Sequence, residues 1–274
     1  MSVIGFMAGN LLAIGLETNQ RAAFAPLTDK RFVAMTLLID WLLCPAFAWL
    51  LTRLLPVHPA YAAGLLLIGL APAAPFLPMM VRRAGGDLAY TAAFMLLAAV
   101  GTVLVMPLAV PFFLPGLSVD PWTVAKPLIV LLFLPMAAGM AVQACAPAAA
   151  GRLLRIVRRV ADMSTLLLLA AIGVRYSTAS SPPSEASPSA AQLFYAIGLV
   201  VGGYALGAGM PASQRAVLSL GPGTRNLGAA LAPLLVTPPD PRTMVMVALA
   251  VPITLGITFL AAARLGRPAV GRQE

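Results

Sequence analysis

The sequence predicts an all-α integral membrane protein of nine transmembrane helices, on three observations. Of the 274 residues, 60% are hydrophobic and only 10% charged, against roughly a quarter charged in a soluble domain. A window of ~20 residues, the helix length that crosses ~30 Å of hydrocarbon, finds nine apolar segments. The basic residues cluster between these segments, and their density alternates from one connection to the next.

The nine segments fall near 2–18, 32–54, 60–82, 87–114, 125–146, 160–178, 191–209, 214–236 and 243–264. The first has no basic leader and ends in Glu17-Thr18-Asn19 without a small-residue cleavage site, so it reads as a mature helix and not as a signal peptide. A polar stretch, 19–31, precedes the second, which carries Asp40 inside its apolar run. The fourth opens with Asp87 after Gly85-Gly86, a turn followed by a helix N-cap. Between the sixth and seventh, the Ser/Pro/Ala run from Ser177 to Ala190 has little to bury and reads as a mobile loop. No separate soluble domain fits.

Charge serves topology here. A net charge of +9 and a pI near 10.6 would suggest nucleic acid in a soluble chain, but the basic residues sit in loops between apolar spans. Alternate loops beginning after the first span carry thirteen Lys or Arg, from Arg21, Lys30 and Arg31 to Arg264, Arg267 and Arg272. The other side holds Arg53, Lys126, Arg175 and Arg242, which places the N-terminus outside and the C-terminus in the cytoplasm of a cell membrane. Cys44 and Cys145 have no metal-ligand or CxxC spacing and read as small buried apolar residues. His58, the only histidine, precedes Pro59 and reads as a solvated loop residue.

Two spans are interrupted. The third contains Leu70-Ala71-Pro72-Ala73-Ala74-Pro75-Phe76-Leu77-Pro78, and the eighth contains Gly221-Pro222-Gly223-Thr224-Arg225-Asn226. Proline removes a helical hydrogen bond and clashes with the preceding turn, so both spans are expected to unwind near the bilayer midplane and to cross there. Paired breaks in two halves of a membrane protein point to a secondary transporter with a central binding site. An intramembrane enzyme is disfavoured: the chain has no Ser/His pair, HExxH site or second midplane aspartate.

At these breaks the chain resembles the bile acid/sodium symporter family. The first break, Ala71-Pro72-Ala73-Ala74-Pro75-Phe76-Leu77-Pro78 followed by Arg83-Ala84-Gly85-Gly86-Asp87, is similar to the family's C-P-G-G-T-A-S-N and the turn after it. The second, Gly221 to Ala230, is similar to E-x-G-x-Q-N-x-x-L-A. The resemblance implies an inverted-repeat transporter fold in which spans 1, 5 and 6 (about 2–18 and 125–178) form a panel. Spans 2–4 and 7–9 (about 32–114 and 191–264) form a core around the crossing. It also implies transport of an organic anion, coupled to sodium in the better-known members.

Departures from the family pattern shape the functional expectation. Sodium needs several oxygen ligands. By the resemblance, the Ser-Asn pair of the first break falls on Leu77 and Pro78, the acidic ligand of the second on Gly221, and two hydroxyls on Thr91 and Met95. Only Thr91 keeps a side-chain oxygen. In the second sodium site the glutamines fall on Arg225 and Asp40, opposite charges that suggest an ion pair with the guanidinium in place of the metal. Arg225 lies eleven residues beyond Gln214, ~16 Å along the helix and about mid-membrane, too deep to snorkel.

The expectation is therefore a carrier of a small or amphipathic organic anion, without conventional sodium coupling, in which Asp40 takes a proton during the cycle. No cofactor or nucleic acid is implied. The candidate site comprises Asp40, Pro75, Leu77, Pro78, Thr91, Gly221, Gly223, Thr224, Arg225 and Asn226. The hydroxyl of Thr102 is expected to return to its own helix backbone. Two alternatives are a sodium-coupled bile-acid-like symporter and a membrane sensor or scaffold that binds without turnover.

Overall fold

The computed structural model describes residues 2–18, 23–113, 120–176, 187–235 and 240–266, and the described residues are almost wholly helical. In chain order the helices are α1 (Ser2–Glu17), α2 (Lys30–Leu54), α3 (Pro59–Gly69), α4 (Leu77–Arg83), α5 (Leu88–Phe113) and α6 (Pro121–Cys145). They continue with α7 (Pro147–Tyr176), α8 (Pro188–Leu206), α9 (Ala212–Gly223), α10 (Leu227–Leu231) and α11 (Pro241–Leu265). Five runs among the described residues are long and apolar enough to cross a membrane unaided: α2, Leu88–Phe112, α6, α8 and α11.

Local chemistry sets the helix starts. His58-Pro59, Asp120-Pro121 and Asp240-Pro241 each put a side-chain acceptor at the N-cap and proline at the first helical position, where its missing N–H is not needed. Asp120 accepts from Trp122 N–H at 3.1 Å and Asp240 from Arg242 N–H at 2.8 Å. His58, half-buried, is thus also a capping residue, its Nδ1 accepting from Ala60 N–H at 3.2 Å. Asp87 caps α5 by accepting from Ala89 N–H at 2.8 Å.

Proline acts differently inside helices. Pro45 and Pro135 each follow a five-residue π-turn, Ile39–Leu43 in α2 and Ile129–Phe133 in α6. Cys44 N–H reaches back to the Ile39 carbonyl, and Leu134 N–H to Ile129, so the wider turn makes room where the proline ring would strike an α-helical carbonyl.

Two groups of helices pack around separate contacts. α1 lies against α6 and α7, and Gly15 and Gly139 let the α1 and α6 backbones meet, because a methyl group at either would run into the other helix. α8 packs on α9 and α11, while α3 packs on α11 and α2. Arg31 at the start of α2 donates to the Ala208 carbonyl at 2.9 Å and to Gly209 at 3.2 Å beyond the end of α8, so α2 and α8 run antiparallel.

Two expectations change. Arg152, Arg155, Arg158 and Arg159 stand in the first turns of α7, not in a loop, since Ala, Leu and Arg are strong helix formers and charge depressed only the hydropathy. Cys145 is exposed at the last turn of α6, whereas Cys44 is buried. The loop expected over 177–190 lies outside the described residues as far as 186, and Pro188–Ala190 belong to α8.

Candidate functional site

The two interrupted spans meet backbone to backbone. Between α3 and α4 the chain is unwound through Ala71–Ala74, and between α9 and α10 through Thr224–Asn226. Pro72 and Arg225 pair as an antiparallel bridge, and Asn226 N–H donates to the Ala71 carbonyl at 2.9 Å. Ala74 N–H donates to Thr224 Oγ1 at 3.3 Å, and that hydroxyl donates to the Gly221 carbonyl at 2.8 Å. Each break therefore satisfies backbone groups that the other leaves open, as a non-helical segment at membrane depth requires. Ala73 carries φ 59°, a left-handed conformation unusual for a residue with a Cβ and one that costs of order 1–3 kcal/mol.

The second break falls slightly later than its sequence suggests. Gly221, Pro222 and Gly223 complete the last turn of α9, and unwinding begins at Thr224. Asn226 caps α10 by accepting from Ala229 N–H at 3.1 Å. Its amide thus belongs to the helix end. Pro75 lies in the first break, and Leu77 and Pro78 form the start of α4 with Leu77 wholly buried.

Arg225 turns away from the break into the protein. Its side chain is 1% exposed, and Nη2 donates to the Tyr195 hydroxyl at 3.2 Å. That hydroxyl donates to the Cys44 carbonyl at 3.2 Å, tying α8 to α2 beside the π-turn, and the Cys44 thiol lies next to the same guanidinium. Asp40, 0% exposed, stands one turn before Cys44. The charge of Arg225 attracts Asp40, but both carboxylate oxygens lack a hydrogen-bond partner, as do Nε and Nη1 of Arg225. The two side chains are neighbours that form no salt bridge in this conformation.

Around Gly221 the space is filled with carbon. Phe94, on α5 and wholly buried, presses its ring against Gly221 so that a Cβ there would collide with it. Gly223 is closed off by Val200 and Thr258 in the same way. Thr91 Oγ1 donates to the Asp87 carbonyl at 2.7 Å and Thr102 to Ala98 at 2.7 Å, so both hydroxyl protons return to backbone. No cluster of three or more His, Cys, Asp or Glu suited to a metal occurs among the described residues. The side chains of Phe94, Leu77 and Pro78 offer no oxygen ligand near Gly221.

A cavity of about 520 Å³ opens between α1, α4, α5, α6 and α7. Its wall combines Ile14 and Glu17 of α1, Pro78 and Arg82 of α4, Thr91 and Met95 of α5, Gln143 of α6 and Leu154 of α7. Of the ten candidate residues only Pro78 and Thr91 line it. Arg225 does not, so the cation in this wall is Arg82, beside Glu17, which is ion-paired to Arg158.

Sequence reasoning identified both breaks and the buried charges but missed Tyr195 and Phe94. Tyr195 was visible as a hydroxyl in the middle of an apolar span, a position where the oxygen must find a partner. Phe94 carried no signal, because its role depends on the absence of a side chain at Gly221, 127 positions away.

No match was found among curated proteins. The family model described as the Sodium Bile acid symporter family matches residues 4–180, a stretch that includes the first break and ends before the second. Members of that family are integral membrane transporters. Since the match covers well over half of the 274 residues and the crossing completes it outside the matched stretch, the chain belongs to the sodium bile acid symporter family.

Proposed function

We propose that the chain carries a small or amphipathic organic anion across the membrane by alternating access, without conventional sodium coupling. The observation that carries this reading is the pairing of Pro72 with Arg225, two unwound segments joined to each other, in a chain that also holds a cavity of about 520 Å³. In this reading the chain makes nine spans. α1, α6 and α7 form the panel and the remaining helices the core, with the N-terminus outside and the C-terminus in the cytoplasm.

The cavity lies between the two parts, and Arg82 with the arginines of α7 puts its mouth on the cytoplasmic side. The anionic head meets Arg82 and Gln143, and the apolar body lies along Ile14, Met95 and Leu154. Substrate charge is thus read by Arg82, while Arg225 supplies a fixed positive charge inside the core. The loss of sodium coupling is supported by the Phe94 ring against Gly221 and by Leu77 and Pro78, which offer no side-chain oxygen.

The test is a thermal-shift screen of organic anions, followed by flux of any stabilising anion into proteoliposomes in sodium and in choline. Flux of equal rate in both supports the reading. Binding without flux would support a sensor or scaffold, and flux confined to sodium would support the symporter.

A further inference from the structure

Asp40 is the one buried carboxylate among the described residues, and neither of its oxygens has a hydrogen-bond donor. Taking an ionised carboxylate out of water is strongly unfavourable unless it is paired or bonded, whereas the neutral acid is tolerated. The groups that face it are Arg225 from the second break, Cys44 on its own helix and Tyr195 from α8. Tyr195 and Cys44 are neutral, and Arg225 spends one donor on Tyr195 while two of its nitrogens stay unpartnered. The guanidinium is permanently charged. With Asp40 neutral this part of the core therefore carries one positive charge, and with Asp40 ionised it carries none.

We propose that Asp40 is the coupling-ion site of this carrier and that the ion is a proton, one bound for each monovalent anion carried. The proposal rests on the organic-anion reading above and specifies what drives it. A proton on Asp40 leaves the Arg225 charge uncompensated, which favours an anion bound elsewhere in the carrier through the low-dielectric core. By linkage, the anion favours the proton to the same degree. Loaded, the core holds the proton and the anion together. Empty, it returns with Asp40 ionised and drawn to the free Nε and Nη1 of Arg225.

The π-turn Ile39–Leu43 places Asp40 in a wide, irregular stretch of α2, of a kind common at functional sites. Beside it an apolar groove of about 310 Å³, lined by Ile39, Leu43, Cys44, Gly198 and Gly202, leaves the α2–α8 contact loosely filled. In the proposed cycle α2 moves against α8 there, which would bring Asp40 and Arg225 together.

Two measurements on the full-length protein test this. First, infrared difference spectra across a pH titration in lipid should show a carboxylic C=O band that gives way to a carboxylate as pH rises, moves in Asp40→Glu and is missing in Asp40→Asn. An Asp40 that stays ionised, or stays protonated, across the whole titration overturns the proposal whether or not transport is seen. Second, in sodium-free proteoliposomes, an inward pH step of one unit should accumulate a monovalent anion by about tenfold. The ratio of gradient-driven accumulation to anion exchange should collapse in Asp40→Asn. Anion flux indifferent to the pH gradient overturns the proton and leaves the carrier standing, whereas absence of flux for every anion, with the C=O band present, counts against the carrier instead.

Discussion

The ring of Phe94 occupies the space into which a side chain on Gly221 would project. An acidic ligand on α9 and an aromatic ring on α5 exclude each other, so the glycine and the phenylalanine form a matched pair. Gly221→Ala should cost ~1–3 kcal/mol through overpacking. Phe94→Ala should open a cavity and cost ~3–5 kcal/mol on its own, and the double variant should cost less than the sum. Thermal melting of the four proteins measures the cycle, and strictly additive losses would contradict the packing relationship.

Sodium should leave stability unchanged. An ion bound at a hundred times its Kd would add ~2.7 kcal/mol to the folded state. Melting in sodium should therefore coincide with melting in potassium or choline at equal ionic strength. A saturable rise peculiar to sodium would show that carbonyls at the crossing replace the missing side chains.

Arg225 and Tyr195 separate charge from bonding. Tyr195→Phe removes the acceptor of Arg225 Nη2 and the donor to the Cys44 carbonyl, and should cost ~1–3 kcal/mol. Arg225→Met replaces an incompletely bonded buried charge by carbon and should change stability by no more than ~1 kcal/mol or raise it, while anion flux falls. A loss of ~3–5 kcal/mol in Arg225→Met would mean instead that the guanidinium is balanced by an ionised Asp40.

Arg82 should set substrate affinity. It stands in the cavity wall at the end of the short helix α4, so Arg82→Gln should keep the fold and raise KM for the anion by about ten- to a hundredfold, the loss of one charge-assisted hydrogen bond. An unchanged KM would place the anion's head elsewhere.

The sequence showed where helices are interrupted because proline acts locally: Pro72 and Pro75 remove donors wherever they stand. It placed the second break slightly early, since α9 keeps its helical course through Pro222 and unwinding begins at Thr224. The start of α7 was hidden because arginine lowers hydropathy without weakening a helix. Asp40 and Arg225 were legible as buried charges from their depth in apolar runs. Their geometry was not, because Tyr195 on a third helix takes the bond that a two-residue reading assigns to Asp40. The cavity wall was the least legible part, since Glu17, Arg82 and Gln143 come from helices that only tertiary packing brings together.

Anion flux in proteoliposomes, compared in sodium and in choline at equal osmolarity and ionic strength, tests the central claim most directly. The account predicts uptake of a small or amphipathic organic anion at the same rate in both, reduced in Arg82→Gln. Uptake that appears only with sodium would contradict it.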